Sequence, residues 1–271
     1  MKAGSWMDRH LDCERDPIGK GKALMMKLSE LTPPIVIAHR GFKMKYPENT
    51  MASFEAAIGA GVKMIELDVT LSRDRRIIVI HDDTLDRTTN GRGRASDYSL
   101  SELKALDAGS WFDPSFKDER LPALEEVIDA FGNQVTLNIE IKESAHEPSG
   151  PPDAIEKQVM DLVLEKKLLD SVLFSSFDQR VLARIRELSS QAHLSFLTEI
   201  PPYEGILGIL RKISAFSWNP DYRTLLYSHI QKIHYAGFRV IPFTINDKTI
   251  VKKFLEAGIH GFFTDDPTLQ S

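Results

Sequence analysis

Cysteine is almost missing from this sequence: Cys13 is the single one among 271 residues. One thiol makes neither an intrachain disulfide nor a cysteine-ligated zinc site, so the fold has to be held by its core. Long apolar runs are missing as well. No stretch approaches the roughly 20 residues that cross a bilayer, which speaks against a membrane-spanning helix. Positive charge is not in excess either, with 34 Lys and Arg against 39 Asp and Glu and a formal charge of −5. That balance argues against a nucleic-acid partner while leaving room for a local basic pocket. Residues 1–22 mix charges with isolated apolar side chains and contain no apolar h-region, so they do not read as a secretory leader. The expectation is a cytoplasmic protein with an N-terminal extension over 1–33, flexible at first and then a short amphipathic helix over Ala23–Leu31.

What is present fits one large core over 34–271, with 42% hydrophobic and 27% charged residues. Strand-like runs recur at Ile35–Gly41, Met64–Leu71, Ile77–His81, Val135–Lys142, Ser171–Phe177, His193–Thr198, Ala215–Asn219 and Arg239–Ile245. Several are almost continuously apolar and β-branched, the pattern of strands buried on both faces of a parallel sheet. Helix-like stretches such as Met51–Ala60, Ala154–Lys167, Gln179–Leu188 and Lys248–Ala257 lie between them. The triplets Ala60-Gly61-Val62, Ala236-Gly237-Phe238 and Ala257-Gly258-Ile259 each close such a stretch before an apolar run. A glycine there can take the left-handed conformation that caps a helix, so each reads as a helix-to-strand joint. The fold class is therefore α/β, an irregular (β/α)8 barrel. Two irregularities stand out: Gly261–Asp265 is a ninth strand candidate, and the gap between Asp68 and Ile77 is too short for a crossover helix. Thr84–Leu121, long, charged and turn-rich with a helical patch at Ser99–Leu106, reads as a small insertion after the third strand.

Polar residues cluster near the ends of these apolar strands, where barrel chemistry is expected. His39 and Arg40 end the first run, and His81 ends the third. Glu66 and Asp68 are two apart, as are Glu140 and Lys142, so each pair points to one face of its strand. Singly, a strand carboxylate is more often an ion-pair partner and a strand-end histidine more often structural. Together they converge: three hard oxygen ligands suit Mg²⁺ or Ca²⁺, two histidines suit acid–base work, and Arg40 with Lys142 suits an anion. His10, His146, His193, His229, His234 and His260 show no such convergence, and Trp218 reads as packing. Arg87, Arg92 and Arg94 sit in a Gly-rich turn and read as solvated, with the entrance to the site as the alternative. Trp111 and Phe112 read as anchors of the insertion.

The ordered set His39-Arg40-Gly41, Pro47-Glu48-Asn49-Thr50, Glu66-Leu67-Asp68-Val69, His81-Asp82, Thr84-Leu85-Asp86-Arg87-Thr88-Thr89, Glu140-Ile141-Lys142 and Thr264-Asp265-Asp266-Pro267 resembles the glycerophosphodiester phosphodiesterase family, from about Ile35 to Pro267. The resemblance implies a TIM barrel with a small insertion and one divalent cation, Mg²⁺ or Ca²⁺, on Glu66, Asp68 and Glu140. It implies His39 and His81 as the acid–base pair and Arg40 and Lys142 on phosphate. Glu48 and Asn49 would stand near the glycerol or behind the first contacts, although Asn49 or Thr50 could equally cap the helix that begins near Met51. The family often carries tryptophan where this chain has Phe243, which keeps a ring but loses the indole N–H. The implied activity is metal-dependent hydrolysis of a glycerophosphodiester, a small-molecule substrate, to glycerol 3-phosphate and an alcohol. A lysophospholipase D-type reaction on the same site and a non-catalytic phosphodiester-binding barrel are the alternatives.

Overall fold

The computed structural model describes residues 26–200 and 205–270; the expected flexible extension lies outside them. The strands are β1 (Ile35–Ala38), β2 (Met64–Leu71), β3 (Ile77–Val79), β4 (Thr136–Ile141), β5 (Val172–Ser176), β6 (His193–Thr198), β7 (Ser217–Pro220), β8 (Arg239–Val240) and β9 (Gly261–Thr264). All but β3 are parallel, in the order β8-β7-β6-β5-β4-β2-β1-β9. Backbone bonds from His260 N–H to Val240 O and from Phe263 N–H to Pro242 O, each 2.9 Å, draw β8 to β9 and close the ring. Eight parallel strands with helices between them make this an irregular TIM barrel. β3 resolves both irregularities in the sequence. It pairs antiparallel with β2, Val69 opposite Val79 and Leu71 opposite Ile77, so the short gap is a hairpin and the ninth strand stands outside the ring.

Each wall strand is buried on both faces, as its unbroken apolar run requires. All eight residues of β2 and all six of β4 are buried. The outward set Ile65, Leu67 and Val69 packs into the large core beneath the helices α1 (Met51–Gly59), α3 (Leu124–Phe131), α4 (Ile155–Glu165), α5 (Gln179–Leu188), α6 (Ile206–Lys212), α7 (Tyr227–Tyr235) and α8 (Lys248–Glu256), while α2 (Leu100–Lys104) belongs to the 84–121 segment. The inward Met64 joins Ile35, Ile37, Leu173, Ile241 and Phe263 in a second, smaller core that fills the barrel, and Leu28 joins it from a 3-10 turn at Leu28–Glu30. That turn is all of the expected Ala23–Leu31 helix that falls within the described residues. Gly61, Gly237 and Gly258 close α1, α7 and α8 with φ of 89°, 86° and 97°, so the three joints read from sequence are left-handed caps.

Residues 84–121 build a third core of their own from Leu85, Ala95, Leu103, Ala108 and Leu121, seated on Ile78 and Ile80. The helical patch expected over Ser99–Leu106 is α2, with Ser99 as its cap accepting the Glu102 N–H. The run Arg239–Ile245 is strand only at Arg239–Val240, because Pro242 has no N–H to extend the ladder; beyond it the chain makes single bonds. Among the described residues no helix is long and apolar enough to cross a membrane.

Candidate active site

The chain leaves β1 through a sharp turn that the residues themselves dictate. Arg40 and Gly41 both have positive φ, 55° and 83°. A Cβ on Gly41 would lie 2.4 Å from Ser53 Oγ, so only glycine fits there. For Arg40 the left-handed backbone costs about 1–2 kcal/mol. In that conformation its backbone N–H donates to Glu66 Oε2 at 2.8 Å, its Nη1 donates to Glu48 Oε1 at 2.8 Å, and its Nε lies 3.3 Å from Asp68 Oδ2. The turn therefore spends backbone strain on one guanidinium that faces two carboxylates.

Glu66, Asp68 and Glu140 come together on β2 and β4, where Asp68 stands opposite Glu140 in register. Each offers one carboxylate oxygen within 4.8 Å of the others. All three are buried, and Glu66 Oε1 and Asp68 Oδ1 find no hydrogen-bond donor among the described residues. Burial, and then the charges of Asp68 and Glu140, push Glu66 well above the usual carboxylate range. Burial and the Asp68 charge push Glu140 up to about 7. Asp68 is also raised by burial, but Arg40, Lys142, His81 and the Asn49 amide outweigh this and bring it to about 2. Buried carboxylate oxygens without donors are costly unless a cation meets them. Hard, anionic and crowded, the set fits a divalent metal.

The two histidines line the same cavity as Glu66 and Glu140, and each is held by a carboxylate at Nδ1. His39 Nδ1 lies 2.7 Å from Asp265 Oδ1, and the other Asp265 oxygen accepts the Asn246 amide at 2.7 Å. His81 Nδ1 lies 2.6 Å from Asp82 Oδ1. With Nδ1 engaged, Nε2 is left as the exchangeable position on both rings. Burial lowers both histidines below 6.5, against the opposing pull of Asp265 on His39 and of Asp68 on His81. Desolvation raises Asp265, but the His39 bond and Lys43 bring it to about 2.

His39, Arg40, Glu66, His81, Glu140 and Lys142 share one cavity of about 880 Å³ with Phe177 and Phe243. Lys142 Nζ donates to Glu140 Oε1 at 3.1 Å and lies 3.8 Å from Asp68 Oδ1. Phe243 packs edge-on against Phe177, with centroids 5.7 Å apart. Glu48 and Asn49 lie behind the cavity wall. Asn49 Nδ2 donates to Asp68 Oδ2 at 2.9 Å, while Thr50 is the residue that caps α1. Glu48, raised by burial, is held down to about 2 by Arg87 and Arg40. Trp218 is fully buried with its indole N–H on Thr198, and His146 pairs with buried Glu156, so both are structural.

The sequence reading missed three groups. Asp265, Asp82 and Arg87 all lie in segments with strong motif likeness, yet the signal in each is a side-chain pairing that local spacing does not reveal. Arg87 is exposed on its solvent side, as the turn suggested, but its guanidinium is also paired, donating to both Glu48 and Asp82.

A TIM barrel with paired histidines and three buried carboxylates at one end of its strands defines an enzyme-like barrel with a candidate metal centre. Comparison with known proteins is specific. Residues 39–269 match the Glycerophosphoryl diester phosphodiesterase family, and the chain belongs to that family. It is 35% identical over 237 residues to a glycerophosphodiester phosphodiesterase of Caldanaerobacter subterraneus, covering 86% of this chain and 94% of that one. A glycerophosphodiester phosphodiesterase of Bacillus altitudinis is 36% identical over 236 residues with the same coverage. Among solved structures, an Oleispira antarctica phosphodiesterase in complex with the product sn-glycerol-3-phosphate superposes with a TM-score of 0.81 at 31% identity, covering 88% of this chain and 96% of that one.

Proposed function

We propose that this chain hydrolyses glycerophosphodiesters to glycerol 3-phosphate and an alcohol, with His39 and His81 as the acid–base pair. The carrying observation is that both imidazoles have Nδ1 fixed by a carboxylate while facing one cavity that also holds Arg40 and Lys142. The relatives named above support the substrate class. Glu66, Asp68 and Glu140 would hold one divalent cation, Mg²⁺ or Ca²⁺. Bound there, such an ion neutralises charge on phosphate oxygens. Arg40 and Lys142 attract and orient the anionic diester, the guanidinium as a planar fork and the ammonium as a point charge. The attacking oxygen is that of water, or of the glycerol hydroxyl beside the phosphate, followed by water opening the cyclic phosphate. One histidine takes a proton from it at Nε2, and the other gives a proton to the leaving alkoxide. Asp265 and Asp82 keep each ring in the tautomer that does so and stabilise it when charged. The Phe177–Phe243 pair gives the cavity an apolar wall for an organic part of the substrate.

The test is release of glycerol 3-phosphate from glycerophosphocholine, read by a coupled assay. EDTA abolishes turnover and added Mg²⁺ or Ca²⁺ restores it, and His39→Ala loses about 10²–10⁴-fold in kcat. Chelator-insensitive turnover would remove the metal from the reading, and full activity in His39→Ala would remove the histidine pair.

A further inference from the structure

Behind the candidate site, the Arg87 cation links two carboxylates, Asp82 and Glu48. It sits in the insertion, three residues past Thr84, on a turn pinned in several places. Leu85 is fully buried, its N–H donates to Gly93 O at 2.9 Å, and its carbonyl accepts the Thr89 hydroxyl at 2.7 Å. Asp86 Oδ2 takes the Gly93 N–H at 3.0 Å. From this base the Arg87 guanidinium spans two carboxylates. Nε and Nη2 donate to Asp82 at 2.6 and 3.0 Å, while Nη1 and Nη2 donate to Glu48 at 2.9 and 2.7 Å. Asp82 is the carboxylate on His81, and Glu48 is the carboxylate on Arg40. The result is an unbroken chain: His81, Asp82, Arg87, Glu48, Arg40.

Two further observations define what Arg87 does. Asp82 lines the main cavity whereas Arg87 does not, so the guanidinium acts from behind and does not reach the substrate. Glu48 is only 2% exposed while Arg87 is 44% exposed, so the ion pair has one end anchored out of water. An exposed pair is worth little, but one with a desolvated carboxylate is not easily broken. A lysine cannot replace it, since an ammonium lacks the planar fork that serves two carboxylates at once.

We propose that Arg87 is a positioning residue, which ties the carboxylate orienting His81 to the carboxylate orienting Arg40 and so lets the insertion fix the spacing of the acid–base group from the phosphate-binding group. This rests on the reading of His81 and Arg40 given under Proposed function. The insertion, seated on Ile78 and Ile80, is then a brace for the chemistry that acts on both groups through one guanidinium.

The experiment compares wild type, Arg87→Ala, Arg87→Lys and Arg92→Ala, the last an arginine on the same turn that is 87% exposed and pairs with Asp86 at 3.4 Å. Readouts are kcat and KM for glycerophosphocholine, melting temperature, and the ring N–H signal of His81 by NMR. Arg87→Ala should lose about 10–100-fold in kcat, the usual effect of removing a partner that orients an active group, with KM moving less than threefold. Arg87→Lys should recover little, added guanidinium should recover part of the Ala loss, and Arg92→Ala should match wild type. The His81 Nδ1–H signal should shift or broaden in Arg87→Ala while that of His39 stays. A kcat within twofold of wild type together with an unchanged His81 signal overturns the proposal. So does a kcat loss that tracks a fallen melting temperature and is not rescued by guanidinium. If wild type turns over no glycerophosphodiester, the substrate reading fails by itself, and the His81 signal still decides the role of Arg87.

Discussion

At the level of Asp68 the inner wall of the barrel changes character as it is followed around the sheet. On β2 and β4 the paired positions are Asp68 and Glu140; on β5, β6 and β7 the next positions in register are Ser175, Ser195 and Ser217. The first arc is charged and faces Arg40 and Lys142. The second is neutral, with Ser195 and Ser217 hydroxyls 2.5 Å apart and Ser217 donating to Asn219. Both arcs are buried. A neighbour satisfies the buried hydroxyls of Ser195 and Ser217, while Ser175 Oγ has no partner among the described residues, but a buried carboxylate needs a counterion. One arc is thus built to receive charge from a ligand, and the other to fill the barrel without it.

The strongest way to break this contrast is to neutralise the charged arc. Asp68→Asn and Glu66→Gln should each cost about a thousandfold in kcat, equal to about 4 kcal/mol of lost charge stabilisation. They should also abolish Mg²⁺ binding by calorimetry; retained metal binding would refute the assignment of the cluster. Next comes the carboxylate that serves His39. Asp265→Asn should lower kcat by about 10–100-fold. It should also move the His39 titration in metal-free protein further below 6.5, because Asp265 contributes the bond and the charge that favour imidazolium. An upward shift in an NMR titration would contradict the pairing. Beneath the site, Leu173→Ala empties part of the inner apolar plug and should cost about 2–5 kcal/mol in denaturant unfolding, with kcat of the folded fraction unchanged. The smallest effect belongs to the neutral arc. Ser195→Ala should cost about 1 kcal/mol and leave kcat within threefold; a loss as large as that of Asp68→Asn would erase the distinction between the arcs.

The features readable in the sequence are those with a local period. Glu66 and Asp68 share a face because strand side chains alternate, and that alternation is visible in six residues of β2. The three glycine joints are equally local, since a positive φ is demanded at one position. Asp265 is different. Its meaning comes from His39, which lies 226 residues away. Arg87 misleads for a related reason: arginine in a Gly-rich turn is commonly solvated, and the partner Glu48 that pairs with this one lies 39 residues away. The short β8 was also hidden, because a β-branched run signals extended chain but does not say where Pro242 interrupts its pairing.

The His39–Asp265 pair joins the residue after β1 to the residue immediately after β9, so it ties the first strand of the chain to the last, which lie side by side. During synthesis His39 emerges early and must wait for a carboxylate translated 226 positions later. On the proposed reading, an intermediate that lacks β9 has no Asp265 to orient His39, so full turnover would follow the docking of that strand. Activity in a translation or refolding time course therefore serves as a clock for the final docking step.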